Sequence, residues 1–235
     1  MTKMNGRLHG RRVLVTSADR YAGPPVCELF TQEGAEVIAD TSDYLDPKAP
    51  QRVIDAAGRV DVLVANFAGP LRITPYSKML EKVQEFADED FQAYLDEIVW
   101  PMVRFVRAVL PQMIERRSGK IVAFTSAVAV RAIPGLAVYS AARGAQNAFV
   151  LATGAEVARH NVQFNAIAPS YLENVTYFTP AMLAEPGMRA SLVANIPAGR
   201  TGEGYEAAEL ALSLATNASN FMAGQVISMA GGWCT

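Results

Sequence analysis

Residues 13–39 read VLVTSADRYAGPPVCELFTQEGAEVIA. The stretch opens on an apolar run, Val13-Leu14-Val15, and turns through Thr16–Gly23. A helical pattern then runs from Pro24 to Glu33, where Gly34 closes it, before a second apolar run, Glu36-Val37-Ile38-Ala39. Strand, turn, helix and strand in that order make one β-α-β unit, which joins two parallel strands through a helix packed on the sheet.

Outward from this unit the alternation repeats. Val60–Ala65, Ile121–Phe124, Val162–Ile167 and Gln225–Met229 read as strands, several of them apolar at consecutive positions, as strands covered on both faces are. Helical patterns begin at Asp46, an N-cap with Pro47 in the first turn, and run over Asp88–Arg116, with interruptions near Pro101 and Pro111. Others cover Val138–His160 and Glu206–Thr216. The rhythm predicts an α/β protein: a doubly wound parallel sheet flanked by helices, with right-handed crossovers, as a single domain over 1–235. The longest irregular stretch, Pro169–Gly204, is read as a site-forming excursion.

Composition narrows the function. The 235 residues are 51% hydrophobic and carry 21 basic against 23 acidic side chains, a net charge of −2, without the basic excess of a nucleic-acid binder. No apolar run approaches the roughly 20 residues that span a bilayer, and the polar leading residues contain no signal core, so a cytoplasmic location is expected. Cys27 and Cys234 make no disulfide framework, and two histidines supply a metal site poorly, so no metal is expected.

In this architecture ligands bind beyond the carboxyl ends of the strands, first after strand one. A dinucleotide needs glycines there, so that backbone N–H groups can approach its pyrophosphate. Thr16-Ser17-Ala18-Asp19-Arg20-Tyr21-Ala22-Gly23 has one glycine, a carboxylate at Asp19 and an aromatic ring at Tyr21. The turn is badly built for a nucleotide, although its tyrosine could equally pack on the core. Strand Ile121–Phe124 ends at Thr125-Ser126, facing the same crevice, and thirteen residues on comes Tyr139-Ser140-Ala141-Ala142-Arg143. On a helix, residues 139 and 143 share a face one turn apart. A phenol is a poor base at neutral pH until a cation stabilises its phenolate, and a guanidinium keeps its charge. Ser126 could hold a substrate oxygen while Tyr139 takes its proton. Val128 and Ile133 follow Ser126 and line either a substrate pocket or the core.

These residues resemble the short-chain dehydrogenase/reductase family along almost the whole chain, and with it a Rossmann-like fold. Asp61-Val62-Leu63-Val64-Ala65-Asn66, the Ser126 and Tyr139-x3 motif, Ile167-Ala168-Pro169 and Ala230-Gly231-Gly232 fall in the family's order. The departures are as informative. The glycine pattern T-G-x3-G-x-G becomes Thr16-Ser17 and Tyr21-Ala22-Gly23, the catalytic lysine becomes Arg143, and the asparagine of the long middle helix falls at Ile98. Together they resemble the halohydrin dehalogenases, cofactor-free relatives of that family. The resemblance implies a carbon–halide lyase with a Ser126–Tyr139–Arg143 triad that closes vicinal halohydrins to epoxides, or opens epoxides with small anions. It implies a halide site at Tyr21, Pro169, Ser170, Tyr171, Leu172 and Phe178, with backbone N–H groups near Tyr171 and Leu172 facing the anion. It also implies a homotetramer assembled through the long helices, and no nicotinamide. Tyr171, Tyr177 and Phe178 would serve equally to anchor a long loop. Asp40, at the end of strand two, reads as a structural remnant of a ribose-binding acid or as a cap, and His9 and His160 as solvated or helix-terminal groups. The competing expectation is an NAD(P)-dependent oxidoreductase with an unusual phosphate loop.

Overall fold

The computed structural model describes residues 6–68 and 82–234; the polar leader at 1–5 lies outside them. Among the described residues, six parallel strands form one sheet in the order β2-β1-β3-β4-β5-β6: β1 Arg12–Val15, β2 Glu36–Ala39, β3 Val62–Asn66, β4 Gly119–Phe124, β5 Val162–Pro169 and β6 Val226–Met229. Every residue of β3, β4 and β5 is buried, including Lys120, Gln163 and Asn165, whereas the edge strands β2 and β6 are only half-covered. The chain leaves β1 for the edge at β2 and returns across it to β3. The crevice between the carboxyl ends of β1 and β3 is therefore the point where strand order reverses, and where this architecture places its ligands.

The helices are α1 Gly23–Gln32, α2 Ala49–Ala57, α3 Asp88–Tyr94, α4 Trp100–Arg116, α5 Ala137–Val157, α6 Pro180–Leu183, α7 Met188–Val193 and α8 Gly204–Ala215. None of the described helices is long and apolar enough to cross a membrane. Three expectations need correction. The second helix starts at Ala49 because Asp46 caps the preceding turn instead, its carboxylate accepting the Lys48 N–H at 2.9 Å. The long middle helix is interrupted near Pro101, as expected, but not at Pro111. A π-helical turn, Leu95–Val99, lengthens the spiral before Pro101, so that the proline falls in the first turn of α4, where its missing N–H is not needed. Helix α4 then runs through Pro111 without a break. The stretch after β5 is also less irregular than expected, since it contains α6 and α7.

Candidate active site

The turn after β1 is tied down from several sides. Asn66, fully buried at the end of β3, donates through Nδ2 to Ser17 O and Arg20 O, each at 3.0 Å. The Ser17 N–H goes to Tyr44 Oη at 3.0 Å, Ala18 N–H to Asp40 O at 3.0 Å, Arg20 N–H to Ser17 O at 3.0 Å, Tyr21 N–H to Thr176 Oγ1 at 2.8 Å and Gly23 N–H to Arg20 O at 2.8 Å. Pro24 and Pro25 have no N–H to offer, and Val26 N–H already reaches Ala22 O at 3.3 Å. A helix N-terminus ordinarily presents orphan donors to an anion. Here, among the described residues, only Asp19 and Ala22 keep a backbone donor unspent in this turn. Ser17 and Tyr21 adopt left-handed φ angles of 45° and 47°, at the two positions where glycines are missing. Gly23 is irreplaceable for another reason: a Cβ there would come within 2.6 Å of Ala18 O.

Two tyrosines enter the crevice, which beside Ser17, Arg20 and Tyr44 still holds a cavity of about 460 Å³. The Tyr21 ring is 6% exposed and meets Phe124 and Tyr177 edge-on, with centroids 6.1 and 5.6 Å away. On the β2 side Tyr44 is buried between Phe67 and Phe105 and donates to the Asp40 carboxylate, which also accepts the Ser42 hydroxyl at 2.7 Å. The acid at the end of β2 is thus engaged internally. The turn fits a nicotinamide dinucleotide poorly, because the pyrophosphate would find few free backbone donors there.

Ser126 follows β4 and starts a short 3-10 turn, its Oγ accepting the Val128 N–H at 3.4 Å, which leaves the hydroxyl proton for a ligand. Tyr139 and Arg143 lie on the buried face of α5. Arg143 is fully buried; Nε donates to Tyr139 Oη at 3.1 Å, Nη1 to Phe124 O at 3.2 Å and to Gln146 Oε1 at 2.8 Å, and Nη2 to Phe67 O at 3.0 Å. Burial opposes its charge most strongly. The surrounding phenols of Tyr139, Tyr177 and Tyr21, with the Tyr139 hydrogen bond, outweigh this, and the net shift in its pKa is upward. A permanently charged group is thus held against the Tyr139 oxygen, as phenolate stabilisation requires. Tyr21, in contrast, is kept protonated, chiefly by burial and then by its proximity to Tyr139.

Ser126 and Tyr139 open onto a cavity of about 40 Å³, room for a few water-sized groups. Tyr21, Val128, Ile133, Pro169, Ser170, Tyr171 and Phe178 line it, so all but two of the expected site residues meet there. Arg143 lies behind Tyr139 rather than on the wall. Leu172 lies outside this lining: its side chain lines a neighbouring cavity with Ile196 and Arg200, and its N–H donates to Ser170 O at 2.9 Å. The walls also include Tyr177 of the loop after β5, and Leu136 and Trp233, which the sequence does not place in the site. Trp233 closes over its own chain's cavity: Arg131 stacks 4.8 Å from its ring centroid and donates to its carbonyl, and Tyr171 packs on it at 5.8 Å. The loop after β5 is knitted by Asn174, whose Oδ1 accepts the N–H groups of Thr176 and Tyr177 at 2.8 and 2.7 Å. Thr176 then fastens the loop to Tyr21. Among the described residues no cluster of ligating side chains suits a metal.

This fold and this arrangement of Ser126 and Tyr139 place the chain in the short-chain dehydrogenase/reductase family, to which it belongs: the family model described as enoyl-(acyl carrier protein) reductase matches residues 7–234. The chain is 31% identical to a 3-oxoacyl-(acyl-carrier-protein) reductase of Thermotoga maritima, over 96% of this chain and 98% of that protein. Among solved structures it is similar to one described as a dehalogenation enzyme, at 31% identity and a TM-score of 0.88, covering 97% of this chain and all of that one. It is also similar to a gluconate 5-dehydrogenase from Burkholderia cenocepacia in complex with NADP and tartrate, at 28% identity and a TM-score of 0.84, covering 97% and 96% of the two chains.

Proposed function

We propose that the protein is a halohydrin dehalogenase, closing vicinal halohydrins to epoxides with release of halide and a proton. The observation that carries this reading is the turn after β1, most of whose donors are spent within the protein and whose tyrosine walls the cavity in front of Ser126 and Tyr139. Ser126 donates its hydroxyl proton to the substrate oxygen. Tyr139, as phenolate beside Arg143, takes the substrate's hydroxyl proton, and the oxygen attacks the neighbouring carbon from behind as the carbon–halogen bond breaks. Both reacting atoms belong to one molecule, so the cavity has only to hold the conformer in which they are aligned. The electron pair leaves with the halide, toward the apolar wall of Tyr21, Pro169 and Phe178, and Tyr139 returns its proton to solvent. The mostly aromatic wall suits a large, weakly hydrated anion, with Tyr171 N–H as its remaining backbone donor. Trp100 on α4 and Leu151 on α5 are exposed apolar side chains, and we place the contacts of a homotetramer on these faces.

A second reading, an NAD(P)-dependent oxidoreductase, is favoured by the reductase and dehydrogenase names of the curated relatives, which outnumber the dehalogenation neighbour. Incubation with 1,3-dichloro-2-propanol and no nicotinamide separates the two. Chloride and acid release that Tyr139→Phe abolishes is the expected result. No chloride release, together with oxidation of NADPH in a separate incubation that supplies the coenzyme and a ketone substrate, would establish the second reading.

A further inference from the structure

We infer that Gln146 is a positioning residue for the Tyr139–Arg143 pair, tying the guanidinium to the main chain of the π-helical turn. Residues 139, 143 and 146 follow one another along the buried face of α5. Gln146 is fully buried, and both ends of its amide are used: Oε1 accepts Arg143 Nη1 at 2.8 Å, and Nε2 donates to Ile98 O at 2.7 Å. Ile98 belongs to the π turn, where the backbone pairing changes register and Trp100 N–H bonds back to Leu95 O. The glutamine thus fixes the rotation of the guanidinium plane, which decides whether Nε points at the Tyr139 oxygen.

Uncharged groups hold Arg143 throughout. Its acceptors are two backbone carbonyls, one amide and one phenol, with no carboxylate among the described residues bonded to it. The other ionisable groups facing the pair are the phenols of Tyr21 from the β1 turn, Tyr177 from the loop after β5, and Tyr94 of α3, 5.7 Å from the Tyr139 ring. A carboxylate at 146 would have nearly the same shape as the amide, yet would neutralise the charge that the phenolate needs. The size of its effect, set against that of an uncharged replacement, therefore separates an electrostatic role from a structural brace.

The inference rests on Tyr139 as the proton acceptor, and its test needs no substrate. Tyr139 ionisation is followed by near-ultraviolet tyrosinate absorbance, as the difference between each protein and the same protein carrying Tyr139→Phe. Gln146→Glu is expected to move the midpoint up by ~1 pH unit or more, a roughly tenfold loss of phenolate at fixed pH. Gln146→Met, which removes the acceptor without adding charge, is expected to move it up by less, and serves alone should Gln146→Glu fail to fold. A midpoint unmoved in whichever variant folds, or no Tyr139 titration in the unsubstituted protein, would overturn the inference. A normal titration in a protein that releases no halide would instead remove the dehalogenase reading and leave Gln146 in place.

Discussion

Tyr21 sits in a left-handed backbone conformation that costs a non-glycine residue about 1–2 kcal/mol, and Ser17, four residues before it, does the same. The ring offsets this cost by packing against Phe124 and Tyr177. Tyr21→Gly should relieve the backbone but empty an aromatic-sized space worth about 3–5 kcal/mol, for a net loss of ~2–3 kcal/mol by urea unfolding. Halide affinity should fall with it, measured by calorimetric titration with bromide. Tyr139→Phe should separate differently: turnover falls by ~10²–10⁴-fold while bromide affinity stays near normal, because the base and the anion wall are different groups. Equal loss of both would place Tyr139 in the halide site. Ser126, Tyr139 and the crowding at Tyr21 are legible in the sequence because each is local: a strand end, a helical spacing, a ring where glycine belongs. Tyr44, Trp233 and Leu136 are not, because only tertiary packing brings residues so far apart in the chain to one crevice. Gln146 carried a readable signal, an amide on the same helical face as Tyr139 and Arg143, but its partner is a backbone carbonyl that no side-chain pattern announces.

Among the elements, strands proved easier to read than the helix passing through Pro101 and Pro111. A continuous apolar run has one explanation in a covered parallel sheet, whereas a proline can end a helix, start one, or follow a π turn that resets the register. The Pro24-Pro25 pair was readable as a helix start, but not as the loss of two N–H donors at the head of α1. That loss leads to an expectation about the whole turn: NADPH should leave the thermal midpoint unchanged at concentrations that stabilise a nicotinamide-binding relative. At the other end of the sheet, Lys120 of β4 is buried and donates to Ser219 Oγ at 3.0 Å and Asn220 Oδ1 at 2.7 Å. Burial, and then the charge of Arg11, lowers its pKa from 10.5 to about 8. Between these values the unfolded chain binds more protons than the folded one, so stability should rise with pH across that window. Denaturant titrations at pH 8 and 10.5 should show the rise, and Lys120→Met should remove this contribution.

At the scale of the molecule, the parallel sheet follows from the β-α-β rhythm, and the assembly does not. Leu151, 51% exposed midway along α5, tests the inferred tetramer: Leu151→Glu should lower the mass found by light scattering, and an unchanged mass would move the interface elsewhere. The two left-handed residues after β1 carry a different lesson, for redesign. The main chain there already follows a path that glycine adopts freely, so restoring glycine at 17 and 21 would ask nothing new of its geometry. What withholds a grip on phosphate is the proline doublet at the head of the first helix, together with the hydroxyls of Tyr44 and Thr176 that have claimed its neighbours' hydrogens. Anyone wishing to convert this scaffold to coenzyme chemistry should begin with those four side chains, before touching the aromatic plug.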